Sequence, residues 1–239
     1  MNNQIDTTQE WYEHSYKKAG FKAQRLYPNE ELLRFMGRNF FSIPFSERKN
    51  TKILEPGCGS CSNLWMIAKE NFDAYGIDLS TASIELGHEM LKKWGVEAQL
   101  AVGSMTELPY EEGFFDAVID VFSSNCLNVA DFNLYLNQIS KALKKGGKVF
   151  SYTPSAASEA FINYAPAQKI DDYTINGIYR ESSPYYGNFY PFRFETKGHI
   201  SNLYKEHGFE ITAMETITRT YNNLSEPFQH ISLEAVKAF

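Results

Sequence analysis

The stretch Ile53-Leu54-Glu55-Pro56-Gly57-Cys58-Gly59-Ser60-Cys61 limits this chain's fold more than any other. A short apolar run with no helical period ends in an acid, passes two glycines and opens into a segment patterned as a helix. Gly57 and Gly59 lack a Cβ, so such a turn bends tightly and brings its amides and the start of the next helix against a ligand. A second apolar run, Tyr75-Gly76-Ile77-Asp78, ends about twenty residues further on in Asp78, where a carboxylate is placed to accept the protons of two ribose hydroxyls. A strand, a glycine turn, a helix and a strand-end acid together predict an α/β protein that binds a nucleotide-like cofactor at the carboxyl ends of parallel strands.

The pattern continues on both sides. Strands are predicted at 52–55, 74–78, 98–102, 115–121 and 148–152, with helices at 62–70, 81–94 and 131–143 between them. Lys144-Lys145-Gly146-Gly147 reads as the stop of the last of these helices. A helix at 195–206, stopped by His207-Gly208, and strands at 209–216 and 230–237 bring the strand count to seven. Residues 1–50, with Trp11, Tyr12, Tyr16 and Phe21 three to five apart, predict a helical cap that breaks near Pro28. The 153–194 stretch is an insertion in the substrate region; its five rings from Tyr185 to Phe192 need a surface to pack on, which excludes a disordered linker. The expected organisation is one domain over 1–239, with a cofactor-binding core at 51–152 and a C-terminal helix and strands at 195–239.

Composition narrows the partners. A formal charge of −6 gives no general attraction to nucleic acid or acidic membranes, no apolar run reaches the length of a membrane span, and Met1-Asn2-Asn3-Gln4-Ile5-Asp6 lacks the regions of a signal peptide. A cytoplasmic location without nucleic-acid or membrane partners is the expectation. Cys58-x-x-Cys61 alone reads as a redox dithiol or half a zinc site, but Cys126 is the one other cysteine and the five histidines show no ligand spacing, so no metal is expected.

Glu55 separates two cofactor classes, because its charge ahead of the glycines repels a pyrophosphate and attracts an ammonium. Neither Ser62 nor Asn63, where a Gly-x-Gly-x-x-Gly dinucleotide pattern would end, is glycine. Over 52–152 the sequence resembles the class I S-adenosylmethionine (SAM)-dependent methyltransferases, whose acidic-x-Gly-x-Gly motif it carries at Glu55, Gly57 and Gly59. The resemblance implies a Rossmann-like, doubly wound seven-stranded sheet, mostly parallel with an antiparallel last strand. It also implies that Glu55, Gly57, Cys58 and Gly59 surround the methionine part of SAM, that Asp78 holds the ribose, and that Leu79, Ser104 and Met105 lie at the adenine. Two departures stand out: Cys61 replaces a third glycine, and Ser104 replaces an acid often used on the adenine amino group.

For the acceptor, Asn125 in the loop after the fourth strand is the candidate orienting residue, and His14, on a helix expected to cover the site, the candidate base. Tyr12, Tyr16, Arg180, Tyr186 and Arg193 are candidates for substrate binding, the arginines for a carboxylate or phosphate. A small polar, sugar-like metabolite is the expected acceptor, with O or N as the acceptor atom. A protein acceptor, a non-catalytic SAM- or nucleoside-binding module and an NAD-dependent oxidoreductase are the alternatives.

Overall fold

The computed structural model describes residues 3–238; Met1, Asn2 and Phe239, and with them the first residues of the polar start, lie outside the described residues. Helices α1 (Asn3–Ala19) and α2 (Glu30–Asn39) form the N-terminal part, with Asn29 Oδ1 accepting from the amides of Glu31 and Leu32 to cap α2 just after Pro28. The alternating core follows as β1 (Lys52–Pro56), α3 (Leu64–Lys69), β2 (Asp73–Asp78), α4 (Thr81–Trp94), β3 (Gln99–Val102), β4 (Phe115–Val121), α5 (Val129–Ala142) and β5 (Leu143–Pro154). The insertion contributes α6 (Glu159–Ile162) and a small antiparallel pair, β6 (Thr174–Ile175) with β7 (Phe192–Arg193); α7 (Lys197–Glu206), β8 (Phe209–Tyr221) and β9 (Glu226–Lys237) complete the chain.

The main sheet has the order β3-β2-β1-β4-β5-β9-β8. Pairings from β3 through β5 are parallel, and β9 runs antiparallel to both neighbours, so it is the one reversed strand and lies inside the sheet rather than at its edge. Strand alternation explains why the core strands are apolar throughout. Leu54, Val118 and Val149 pack on one face with Phe132, Ile139 and Ile200, while Ile53, Ala117, Ile119 and Phe150 pack on the other with Leu32, Phe35 and Ile67. The insertion's rings supply a third cluster, in which Tyr190, Phe192 and Phe194 pack with Ile175, Ile178 and Phe228.

Two boundaries differ from expectation. Lys144–Gly147, read as a helix stop, lies inside β5, where the register with β4 shifts between Phe115 and Ala117. The hairpin β8–β9 extends to Tyr221 and Glu226, beyond the predicted 209–216 and 230–237. Its outer half is Thr-rich and largely exposed on β8, so it carries no apolar alternation for a sequence reading to find. Among the described residues, no helix is long and apolar enough to cross a membrane.

Candidate functional site

A cavity of about 350 Å³ opens at the carboxyl ends of β1, β2, β4 and β5 and is covered by α1. Glu55, Gly57, Cys58, Gly59, Asp78, Leu79, Ser104 and Met105 line it together. The turn requires its glycines: both have left-handed backbones (φ 68° and 52°), and a Cβ on Gly57 would lie 2.5 Å from the Ser123 Cβ, one on Gly59 2.7 Å from the Tyr16 hydroxyl. Cys61, where the family's third glycine would be, also takes a left-handed backbone (φ 62°), buried against Gly87.

Glu55 is buried at the tip of β1. Its Oε1 accepts from Asn63 Nδ2 at 2.5 Å, while Oε2 has no hydrogen-bond partner among the described residues. Burial pushes its carboxyl up to about 8; Asp120 and Asp78 add to the rise, and the Asn63 bond and the Arg25 charge oppose it. Asn63 Oδ1 in turn accepts from the Asn29 amide at 3.0 Å, tying this carboxylate to the cap of α2. Asp78 accepts from the Gly59 amide at 2.9 Å and the Ser80 amide at 3.0 Å, with burial raising its carboxyl above the usual value. Ser104 Oγ pairs with Thr106 Oγ1 at 2.7 Å.

The floor beyond β4 is set by Asp120. This buried carboxylate accepts from the amides of Ser123 and Ser124 and from the hydroxyls of Ser124 and Ser151, and the Ser123 hydroxyl lies 2.7 Å from both Asp120 and the Pro56 carbonyl. The loop that meets Gly57 is thus hydrogen-bonded from below.

Of the acceptor candidates, Tyr12 and Tyr16 line the cavity, one turn apart on α1, and the Tyr12 hydroxyl meets that of Tyr190 at 2.8 Å. His14, two residues from each, is carried to the opposite, exposed face and lines a shallow outer depression with Trp11 and Phe189. Asn125 is buried with neither end of its amide partnered, but it does not line the cavity; in the tight turn Ser124–Cys126 it is Ser123 and Cys126, three apart, that share the inward side. Arg180 is engaged by buried Glu226 at 2.8 Å, and Tyr186 is exposed against Phe189, both away from the cavity. Arg193 has no exposed surface: it bonds Glu195 and the carbonyls of Ser124 and Leu127, each at 2.8 Å, over the ring of Phe132. Both arginines are internal ties, because carboxylates of the same chain reach them first.

Tyr185, one of the insertion's rings, lines the cavity, which also contains residues absent from the sequence-based candidates: Arg25, Asn63, Tyr152, Arg219 and His230. Only Asn63 had a local signal, its place in the glycine motif; the rest arrive from segments far apart in sequence. Among the described residues no group of three or more His, Cys, Asp or Glu is arranged to hold a metal. The Cys58 thiol is held well above its ordinary value by its hydrogen bond to Cys61 and by burial, which opposes the thiolate needed for metal or redox chemistry.

A parallel sheet whose strand order reverses beside a glycine turn, with acids at the tips of β1 and β2, defines a Rossmann-like protein for a nucleotide-type cofactor. Within that class, residues 53–147 of this chain match the methyltransferase domain family. It is 32% identical over 108 residues to a demethylmenaquinone methyltransferase of Bacillus cytotoxicus, covering 43% of this chain and 44% of that protein. It is 35% identical over 108 residues to one of Staphylococcus aureus, covering 43% and 42%. The chain thus matches less than half the length of these curated relatives. In fold it is similar to a Burkholderia thailandensis 1,6-didemethyltoxoflavin N1-methyltransferase solved with S-adenosylhomocysteine (TM-score 0.61, 11% identity, covering 100% of this chain and 92% of that one). It is also similar to a protein described for the conversion of a disulfide bond into a thioacetal group in echinomycin biosynthesis (TM-score 0.69, 17% identity, 96% and 92%).

If Asp78 holds a ribose, Asp78→Ala weakens S-adenosylhomocysteine binding by about 1–3 kcal/mol, the worth of hydrogen bonds to a charged group. Titration calorimetry checks this, and an unchanged affinity in a folded variant removes Asp78 from the site.

Proposed function

We propose that this protein is a SAM-dependent methyltransferase acting in the cytoplasm on a small molecule. The observation that carries the reading is the buried, unpartnered Glu55 Oε2 beside the glycine turn: an acid with a free lone-pair direction fits an amino-acid ammonium and opposes a pyrophosphate. Asp78 would hold the ribose hydroxyls, Gly57 and Gly59 the close backbone approach, and Leu79, Ser104 and Met105 the adenine. SAM bound there supplies an electrophilic methyl on its sulfonium. The chain's own work is then positioning and exclusion of water, with Tyr12 and Tyr16 closing the cavity from above.

The modest volume of the cavity, about 350 Å³ under the cover of α1, favours a small acceptor over a protein segment. Its far walls are aromatic rings, which argues for a flat acceptor in place of the sugar-like one expected from sequence.

Titration calorimetry with S-adenosylhomocysteine and, in parallel, NAD is the test. Saturable binding of the former alone is expected. Binding of NAD alone would replace the assignment with a dinucleotide-dependent one, and methyl transfer to no small acceptor despite tight cofactor binding would favour the non-catalytic module.

A further inference from the structure

The carboxyl edge of the sheet is divided between two sets of residues. Glu55 and Asp78, with Ser104 just past β3, come from β1, β2 and β3, which lie on one side of the strand order. Phe122 follows β4, and Tyr152, His230 and Arg219 come from β5, β9 and β8, which continue the order on the other side. The first set accounts for the proposed cofactor; the second is unassigned.

That second set is flat-walled. Phe122 stacks on Tyr185 with centroids 4.7 Å apart and planes 24° from parallel, and Tyr152 stacks on His230 at 4.6 Å and 13°. Phe122 is held there by a left-handed backbone (φ 59°), uncommon for an aromatic residue, which turns its ring into the cavity between Tyr185 and, at 5.6 Å, His230. The Tyr152 hydroxyl is buried without a hydrogen-bond partner among the described residues, and Tyr185 Oη lies 3.3 Å from His230 Nε2.

The charge at this end is positive. Arg25 and Arg219 both line the cavity, and neither is engaged by a carboxylate among the described residues, unlike Arg38, Arg48, Arg180 and Arg193. Glu31, the acid that acts on Tyr152, is itself paired with Arg34. Burial, aided by Arg219, holds His230 neutral, down to about 4, so the imidazole adds no charge of its own. Two guanidiniums without a carboxylate partner, lining the same cavity as these rings, suit a ligand that is both planar and anionic, since a guanidinium fork pairs with a carboxylate and aromatic surface packs on a flat body.

We propose that this half of the cavity binds the methyl acceptor and that the acceptor is a planar aromatic or conjugated acid, its anionic group held by Arg219 and Arg25 and its ring by Phe122, Tyr152, Tyr185 and His230. The proposal rests on the methyltransferase reading, which assigns the other half to SAM.

The test uses the full chain saturated with S-adenosylhomocysteine and a panel of hydroxybenzoates and hydroxynaphthoates, each compared by calorimetry with its neutral amide. The acids are expected to bind about tenfold or more tighter than the amides, the scale of one charge-assisted hydrogen bond. Arg219→Gln, which leaves Arg25 in place, is expected to cut that preference several-fold while leaving the affinities for the amides and for S-adenosylhomocysteine within about twofold, a selectivity that misfolding would not produce. Equal binding of acid and amide, equal losses for both in Arg219→Gln, or binding of S-adenosylhomocysteine with no binding by the panel each overturns the acceptor assignment and leaves the cofactor reading intact. Failure of S-adenosylhomocysteine itself to bind removes both.

Discussion

Replacing Arg193 with alanine is expected to destabilise the protein by about 3–5 kcal/mol, the range found when one partner of a buried ion pair is removed. The guanidinium has no solvent-exposed surface, and its loss leaves the Glu195 carboxylate, also fully buried, with His199 as its remaining close partner at 2.6 Å. It also removes two hydrogen bonds, to the carbonyls of Ser124 and Leu127, and a cation held 3.5 Å from the centre of the Phe132 ring. For a chain of this size that corresponds to a fall in Tm of roughly 10 °C. Lysine is not a substitute, because one ammonium cannot reach Glu195 and both carbonyls in the guanidinium's planar arrangement. The double variant Arg193→Met, Glu195→Gln should recover much of the loss, since no buried charge is then left unpaired. Thermal unfolding of the three variants checks this; an Arg193→Ala protein that melts with the parent would show that the tie between β7 and the loop after β4 carries no stability.

Arg193 also shows where sequence stops being legible. The core could be read because its signals are local: apolar runs for β1 to β5, two glycines after β1, an acid ending β2. Each of these works through neighbours within one element or turn, and all eight cofactor-side candidates line one cavity. The acceptor side has no such locality. Arg180 and Arg193 look in sequence like arginines seeking an anion; only the fold reveals that Glu226, forty-six positions from Arg180, and Glu195 already supply one. Arg25 and Arg219, whose sequence context is unremarkable, are left at the cavity because the helical cap and the extended hairpin bring them there. His14 lies off the cavity for a simpler reason: a helix that covers the cavity shows it one face, and Tyr12 and Tyr16 occupy that face.

If Glu55 holds the cofactor's ammonium, binding of S-adenosylhomocysteine should strengthen as pH rises from 6 to 8, where an ordinary carboxylate, fully ionised throughout, would produce no change. In the free protein burial lifts this carboxyl to about 8, so at pH 6 it carries a proton that must leave before it can pair with the ammonium. Well below that value affinity falls by about tenfold per unit, so the carboxyl alone contributes roughly 50-fold, about 2.3 kcal/mol, between pH 8 and pH 6. The ligand's own amine, with an α-amino pKa near 7.7–8.0, is itself about half deprotonated by pH 8, so the net gain from pH 6 is about 20-fold and the affinity turns over near pH 8. The proton lost at pH 6 is countable: titrations in two buffers of different ionisation enthalpy should show about one proton released per ligand bound. Glu55→Gln keeps the side chain's shape and its contact with Asn63 but cannot ionise, so its binding should be weak and should release no proton. Asp78 shares the cavity and is also raised by burial, so the Gln variant is what assigns the released proton to Glu55. A wild-type affinity that stays flat from pH 6 to pH 8, or a proton release that survives in Glu55→Gln, would mean that the ammonium is held elsewhere and that the acid at the tip of β1 serves only to anchor Asn63 and the cap of α2.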